Sequence, residues 1–233
     1  MLMDKMVFIS LFLAHIVGDF YFQTDKLCQD KAEKKIRSSF LYTHSLIIGL
    51  LSWGLLPAVS FWPYALIIVI THLIIDTIKC YVGAKLLSFF IDQLFHILIL
   101  YVISHMYEFS AKLPLEYVDI IDAISLPVFL IMVLFLMKPV NILIKLVLER
   151  YRIGETGSCK DIKNAGALIG NLERILTLVF VLIGQYEAIG FIIAAKSLLR
   201  YKDTDIAKTE YVLAGTLLSF GIAMVCGLVV RMV

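Results

Sequence analysis

The sequence predicts an all-α fold, a polytopic transmembrane helical bundle, and three observations predict it. Of 233 residues, 61% are hydrophobic and only 17% are charged. The mean hydropathy is +0.91. Apolar stretches recur along the whole chain, separated by short polar segments. Such composition leaves too little polar surface for a water-soluble domain and matches a membrane bundle. The length accommodates about eight spans of roughly 20 residues each. A single membrane domain over residues 1–233 is therefore expected, with a first half at 1–107 and a second at 118–233.

The apolar stretches fall near 6–23, 40–61, 63–81, 86–107, 118–137, 165–185, 187–201 and 209–231. The first reads as a retained helix: Asp4 stands among the opening residues, His15 and Asp19 break the apolar run, and no small-residue cleavage pattern follows. Between the fifth and sixth stretches, Lys138 to Arg150 mixes Leu143, Leu146 and Val147 with Lys145 and Glu149 after Pro139. That profile fits either an amphipathic interfacial helix or a prolongation of the fifth span. Gly166 and Gly170 make a GxxxG step of the kind that lets helices approach closely. Trp53, Trp62, Tyr107 and Tyr186 fall near predicted interfaces, as an aromatic belt does.

Loop charges orient the stack. Basic connections carry Lys26, Lys31, Lys34, Lys35 and Arg37; Lys85; Arg150, Arg152, Lys160 and Lys163; and Lys202 and Lys208. They alternate with the uncharged turn near Pro57, the acidic stretch around Glu108, Glu116 and Asp119, and the short connection at Glu187. The positive-inside rule makes the basic set cytoplasmic and puts both termini on the non-cytoplasmic side. A net charge of +2 dispersed among loops, without a basic and aromatic surface motif, argues against nucleic-acid binding. Cys28, Cys80, Cys159 and Cys226 form no CxxC pair, so zinc-ribbon and redox readings lack their ligands.

Chemistry concentrates in one recurring pattern. His15/Asp19, His72/Asp76 and the reversed Asp92/His96 each place an imidazole and a carboxylate four residues apart inside apolar sequence. That spacing puts both side chains on one helix face. Each ionisable residue in a bilayer costs roughly 2.5–3.5 kcal/mol on insertion scales, so such residues face a cavity, a partner or a pathway. In the predicted orientation these six and His44 share one depth in the cytoplasmic half of the first four helices, as a single cavity requires. Imidazole nitrogens and carboxylate oxygens suit zinc, manganese or iron, and helical bundles build such sites from inward side chains. The candidate metal ligands are His15, Asp19, His72, Asp76 and His96, with Asp92 and His44 as further ligands or as groups around them. One ion or two sharing a carboxylate both fit this set, as does a metal-free proton relay. One such pair alone is more often inter-helix hydrogen bonding, worth about 0.6 kcal/mol. Gln23 and Lys79 extend the first and third helices one turn toward the cavity mouth, to snorkel or to meet an anionic substrate. Gln93 is expected to face away from its neighbour Asp92, and His105 to lie at the opposite interface.

A second constellation occupies the last three helices: Glu173 and Arg174, Lys196 and Arg200, and Glu210. Glu173 or Glu210 can pair with Arg174, Lys196 or Arg200 to fix helix register. Alternatively the three cations clamp a phosphate or carboxylate, Arg by bidentate contacts and Lys as a point charge.

Several segments together resemble a known family. Leu13-Ala14-His15 through Gly18-Asp19-Phe20 and Gln23, Thr71-His72 through Asp76 and Lys79, and Asp92-Gln93 with His96 are similar to an uncharacterised bacterial membrane family catalogued as domain of unknown function 3307. Gly184-Gln185, Ala188-Ile189-Gly190-Phe191, Ala194-Ala195-Lys196-Ser197 and Glu210-Tyr211 resemble its C-terminal half. The resemblance implies the membrane architecture and a bacterial inner membrane, and carries no activity. More distantly, Thr43-His44-Ser45 and the His72/Asp76 helix resemble inner-membrane proteins described as metal-dependent hydrolases.

The sequence lacks an HExxH helix, a GxSxG elbow, a P-loop and a dinucleotide fingerprint. The leading expectation is an integral-membrane, metal-dependent hydrolase with a cytoplasm-facing site, acting on a phosphoester or related bond of a lipid-like or anionic substrate. The ion activates water; Asp92, His44 and Lys79 take catalytic roles, with Arg174, Lys196, Arg200, Gln23, Glu173 and Glu210 around the substrate. The alternative expectation is a proton- or metal-ion-coupled transporter or channel using the same His/Asp cluster.

Overall fold

The computed structural model describes residues 2–56, 58–83, 85–107, 125–151, 153, 165–199 and 206–232, and among them the regular elements are all helical. Helix α1 (Leu2–Ile16) runs into a π-helical turn at Val17–Tyr21. Thr24 then caps the polar helix α2 (Asp25–Lys34), its side chain accepting from the Leu27 amide. The chain turns by 85° between the segments Lys5–Tyr21 and Asp25–Arg37. Helices α3 (Ser39–Leu55), α4 (Trp62–Val82) and α5 (Leu86–Met106) follow. Pro63 sits at the start of α4, where its missing N–H has no helical partner to lose. Ser88 caps α5 by accepting from the Lys85 amide.

The chain divides into two compact units, Met1–Ile131 and Met132–Val233, with the division inside α6 (Ser125–Arg150). The second unit continues with α7 (Ala165–Leu182), α8 (Tyr186–Leu199) and α9 (Ile206–Met232).

Among the described residues, four helical stretches are long and apolar enough to cross a bilayer: Val59–Val82, Leu86–Met106, Leu126–Arg150 and Thr209–Met232. A fifth exists if the bent pair at the N-terminus counts as one span. The expectation of about eight spans is corrected by helix length and polarity. The stretch at 40–61 contains a helix of only 17 residues, which at 1.5 Å per residue reaches about 26 Å of a roughly 30 Å core. The stretch at 187–201 contains one of 14 residues, and α7 carries Asn171, Glu173 and Arg174 in mid-helix. Lys138–Arg150 continues α6 without a break through Pro139 instead of forming a separate interfacial helix. Residues 118–124 of the expected fifth span lie outside the described residues.

The first unit is polar inward and apolar outward. On α4, Ala65, Ile68, His72 and Asp76 are buried while Leu66, Ile67, Ile70, Ile74 and Ile78 are exposed. On α5, Asp92, His96, Leu100 and Ile103 are buried while Leu87, Phe90, Leu94 and Leu98 face out. The helical period that sorts a soluble helix into core and water faces here sorts exposed aliphatics from inward polar residues. One end of the unit closes over an apolar core of Val7, Leu11, Phe61, Ala65, Leu100 and Tyr107. The His/Asp residues occupy the other end of the same helix faces, with His15 one turn beyond Leu11, His44 one turn before Ile48, and His96 one turn before Leu100.

Candidate functional site

Four chain segments build the site. His15 sits in the last turn of α1, and the π-helical widening that follows carries Asp19 into the interior. Such π turns insert one residue per turn and are frequent at functional sites. His44 comes from α3, His72 and Asp76 from α4, and Asp92 and His96 from α5; all seven side chains are buried.

At the centre, three ligand atoms form a nearly equilateral triangle. His44 Nε2 lies 3.1 Å from Asp19 Oδ1 and 3.1 Å from His72 Nε2, and His72 Nε2 lies 3.3 Å from Asp19 Oδ1. Asp76 Oδ2 is 3.8 Å from His44 Nε2 and 4.0 Å from His72 Nε2. Hydrogen bonds alone serve this triangle poorly. Gln23 donates its amide to the Asp19 carbonyl at 3.0 Å and reaches His44 Nε2 at 2.8 Å, which makes that nitrogen an acceptor. Asp19 is an acceptor too, so two acceptors face each other and His72 Nε2 has one proton at most to offer them. A divalent cation would satisfy all three, because ligand atoms about 2.0–2.1 Å from a tetrahedral zinc lie roughly 3.3–3.4 Å apart. His44, expected beside the ligands, is thus part of the tightest coordinating face, while His15 stands farther off, its Nε2 3.8 Å from Asp19 Oδ2.

A second layer orients these groups. Gln93 donates to Asp92 Oδ2 at 3.1 Å and to Asp19 Oδ2 at 3.4 Å, leaving its carbonyl to accept from His15 Nε2 at 3.2 Å. The expectation that Gln93 faces away is therefore corrected: on the wall of the site, its long amide reaches back across α1. His96 Nδ1 donates to the Asp92 backbone carbonyl at 2.8 Å, which fixes the ring and leaves a lone pair on Nε2. The His96 ring stacks on His15 at 5.0 Å and lies 4.4 Å from His72. Lys79 donates to Asp92 Oδ2. Lys31 donates to Asp76 Oδ2 at 2.6 Å from α2, with its side chain 8% exposed. A small cavity lies against the imidazoles of His15, His72 and His96, closed on its apolar side by Ile48, Ile68 and Leu100.

Lys31 is the residue of the cluster that loop-charge reasoning missed. Its signal was present: Thr24-Asp25 is a helix start, and Leu27 and Lys31 stand four apart on one face.

The second unit holds the other constellation, and its described cations, Arg174 and Lys196, are engaged within that unit. Lys196 Nζ pairs with Glu173 at 2.6 Å to Oε1 and 2.7 Å to Oε2. Arg174, 2% exposed, donates to the Leu136 carbonyl, to Ser219 Oγ at 2.9 Å, to Asn141 Oδ1 and to Asn171 Oδ1 at 2.6 Å. The expected ion pair is present between Glu173 and Lys196, while Arg174 is held by neutral acceptors and not by a carboxylate. Gly170 makes room for the Arg174 guanidinium, which would lie 3.1 Å from a Cβ there, so it serves this polar knot and not a GxxxG helix contact. Arg200 lies outside the residues whose side chains are described. Glu210 is exposed on α9, and His105 is exposed near the far end of α5 beside the Tyr101 carbonyl.

A family model with the description "protein of unknown function (DUF3307)" matches residues 7–125. That segment contains the whole His/Asp cluster together with Gln23, Lys31, Lys79 and Gln93. No curated protein and no solved structure matches.

Proposed function

The chain belongs to the DUF3307 family, whose description assigns no activity, and from the chemistry of the enclosed cluster we propose that it is a membrane-embedded, metal-dependent hydrolase. The observation that carries this reading is the triangle of Asp19 Oδ1, His44 Nε2 and His72 Nε2 with edges of 3.1, 3.3 and 3.1 Å, a ready-made face for zinc, manganese or iron. Charge supports it. Asp76 and Asp92 are each balanced by a lysine, whereas the partners of the Asp19 carboxylate are imidazoles and the Gln93 amide. A divalent cation held on this face would meet that charge.

In this reading Asp19, His44 and His72 would hold the ion, which when bound would supply an activated water and a polarised substrate oxygen. His15, which lines the same cavity as His72 and His96, takes up the proton. Lys79, half-exposed at the mouth and already among carboxylates, meets the negative charge that develops on a phosphoester or related bond of a lipid-like substrate. The site faces the cytoplasm across a bacterial inner membrane, on the side of the basic connection that carries Lys26, Lys34, Lys35 and Arg37.

The test is metal analysis of the full chain purified in detergent, followed by hydrolysis of a phosphoester panel. Bound transition metal and turnover that disappears in His72→Ala support the enzyme. Protein that carries no metal after exposure to zinc and manganese overturns it, as does turnover indifferent to His72→Ala. One observation favours a second reading, a proton- or metal-coupled transporter: the first helical segment ends at Tyr21, just after the π turn that carries Asp19, and the chain then bends by 85°, as interrupted helices do at transport sites. Gradient-driven manganese or proton flux in proteoliposomes without turnover would decide for it.

A further inference from the structure

We infer that the cluster holds a second divalent cation, seated on Asp76, Asp92 and His96, with Asp76 shared between the two ions. This rests on the metal reading above and extends it from one ion to a binuclear centre.

The three residues bring ligand atoms within 4.8 Å of one another. They are also the three whose remaining atoms are orphaned. Among the described residues, buried side-chain N and O atoms without a hydrogen-bond partner are Asp76 Oδ1, Asp92 Oδ1, His96 Nε2 and His44 Nδ1. Three of these four belong to the proposed seat, and the fourth is the far nitrogen of a ring already engaged through Nε2. A buried polar atom left unpaired costs about 1–3 kcal/mol, so three in one pocket point to a ligand that satisfies them together.

The way each residue is anchored strengthens the case. Lys31 holds Asp76 by Oδ2, Lys79 and Gln93 hold Asp92 by Oδ2, and the Asp92 carbonyl holds His96 by Nδ1. In each residue one atom is fixed by an outer partner while the other is presented bare, which is how outer groups orient metal ligands. The two lysines therefore act as positioning residues for the carboxylates. Asp76 Oδ2 also lies 3.8 Å from His44 Nε2 at the first face, so the one carboxylate reaches both seats, as in two-metal sites that clamp the attacking and leaving oxygens of a phosphoester.

Ion stoichiometry on the full chain in detergent tests this, with zinc read by elemental analysis and manganese by electron paramagnetic resonance. The expected result is about two ions per chain and an exchange-coupled manganese pair, falling to about one uncoupled ion in Asp92→Asn and in His96→Ala while the first remains. Asp92→Asn is isosteric and guards against a folding failure of His96→Ala, with size-exclusion behaviour checked for both. One ion in the wild-type chain, or two that survive both substitutions, overturns the second seat and leaves the hydrolase reading standing. Zero ions overturns both.

Discussion

Lys31 Nζ and Asp76 Oδ2 meet at 2.6 Å in the interior of the first unit and tie the polar helix α2 to the His/Asp helix α4. The ammonium also lies 5.7 Å from the centre of the Phe40 ring. Two ions taken out of solvent are stable only as a pair, so removing one leaves the other buried and unbalanced. Lys31→Met is expected to destabilise the protein by about 3 kcal/mol or more, and Lys31→Met with Asp76→Asn by clearly less than the two single changes added. A double-mutant cycle from denaturant unfolding in detergent measures this coupling. Additive effects would show that the pair does not work as a unit.

The sequence shows part of this design and hides part for identifiable reasons. The i,i+4 pairs at His15/Asp19, His72/Asp76 and Asp92/His96 are visible because helix periodicity fixes which side chains share a face, and the structure brings them together with His44. The contributions of Gln93 and Lys31 depend on long side chains reaching across helices, which spacing along one helix cannot report. Span number was overestimated because hydropathy does not distinguish a full crossing from the short α3 and α8 or from α7, whose interior carries the Arg174 network. That network itself reads from sequence only as a choice between a pair and a clamp. The neutral acceptors Asn141, Asn171, Ser219 and the Leu136 carbonyl come from three helices, and no local pattern announces them.

Gln93 is the cheapest handle on how the site is oriented, since it touches His15, Asp19 and Asp92 without belonging to the proposed ligands. Gln93→Leu keeps roughly the same volume and removes all three bonds. Loss of an outer partner of this kind lowers metal affinity by about 10–100-fold. Zinc competition titrations against a chelating dye measure the change, and an unchanged affinity would mean that Gln93 only fills space.

The close approach of α3 and α4, which carry His44 and His72, depends on Gly49. A Cβ there would lie 2.2 Å from Val69 Cγ2 and 3.2 Å from the Ala65 carbonyl. Valine is stiff at χ1 and a helix carbonyl cannot move alone, so Gly49→Ala must push the helices apart. At Gly18 the nearest atom to a new Cβ is Ile48 Cδ1 at 2.1 Å, the end of a flexible side chain. Overpacking costs about 1–3 kcal/mol, and Gly49→Ala is expected at the upper end with Gly18→Ala below it. Parallel unfolding curves check the order, and the reverse order would show that the helices yield more readily than Ile48.

Arg174 and Lys196 are expected to respond differently to removal. Arg174 satisfies four acceptors in the core of the second unit, so Arg174→Met strands buried polar groups, at about 1–3 kcal/mol for each one left without a partner. The pair of Lys196 with Glu173 is partly exposed, at 23% and 13% of their side chains, and Lys196→Met together with Glu173→Gln is expected to change stability by less than about 1 kcal/mol. Thermal unfolding separates the two cases. A larger loss from the double change than from Arg174→Met would reassign the principal polar support of the second unit to the ion pair.

Metal itself should stabilise the first unit by mass action. An ion that binds the folded cluster and not the unfolded chain adds about 2.7 kcal/mol at a free concentration 100 times its dissociation constant. Zinc or manganese is therefore expected to raise the unfolding midpoint, and a chelator to lower it to the metal-free value. The gain should fall in His44→Ala and in His72→Ala, which break the triangle with Asp19. It should persist in Arg174→Met, whose network lies wholly within Met132–Val233. The same ion also relieves the acceptor crowding at His44 Nε2, so the metal-free protein gains from losing one of the facing acceptors. Asp19→Asn is then expected to cost less stability without metal than with it. A midpoint that ignores zinc and manganese in the wild-type chain would remove the cation from the triangle and leave its three close atoms to share protons alone.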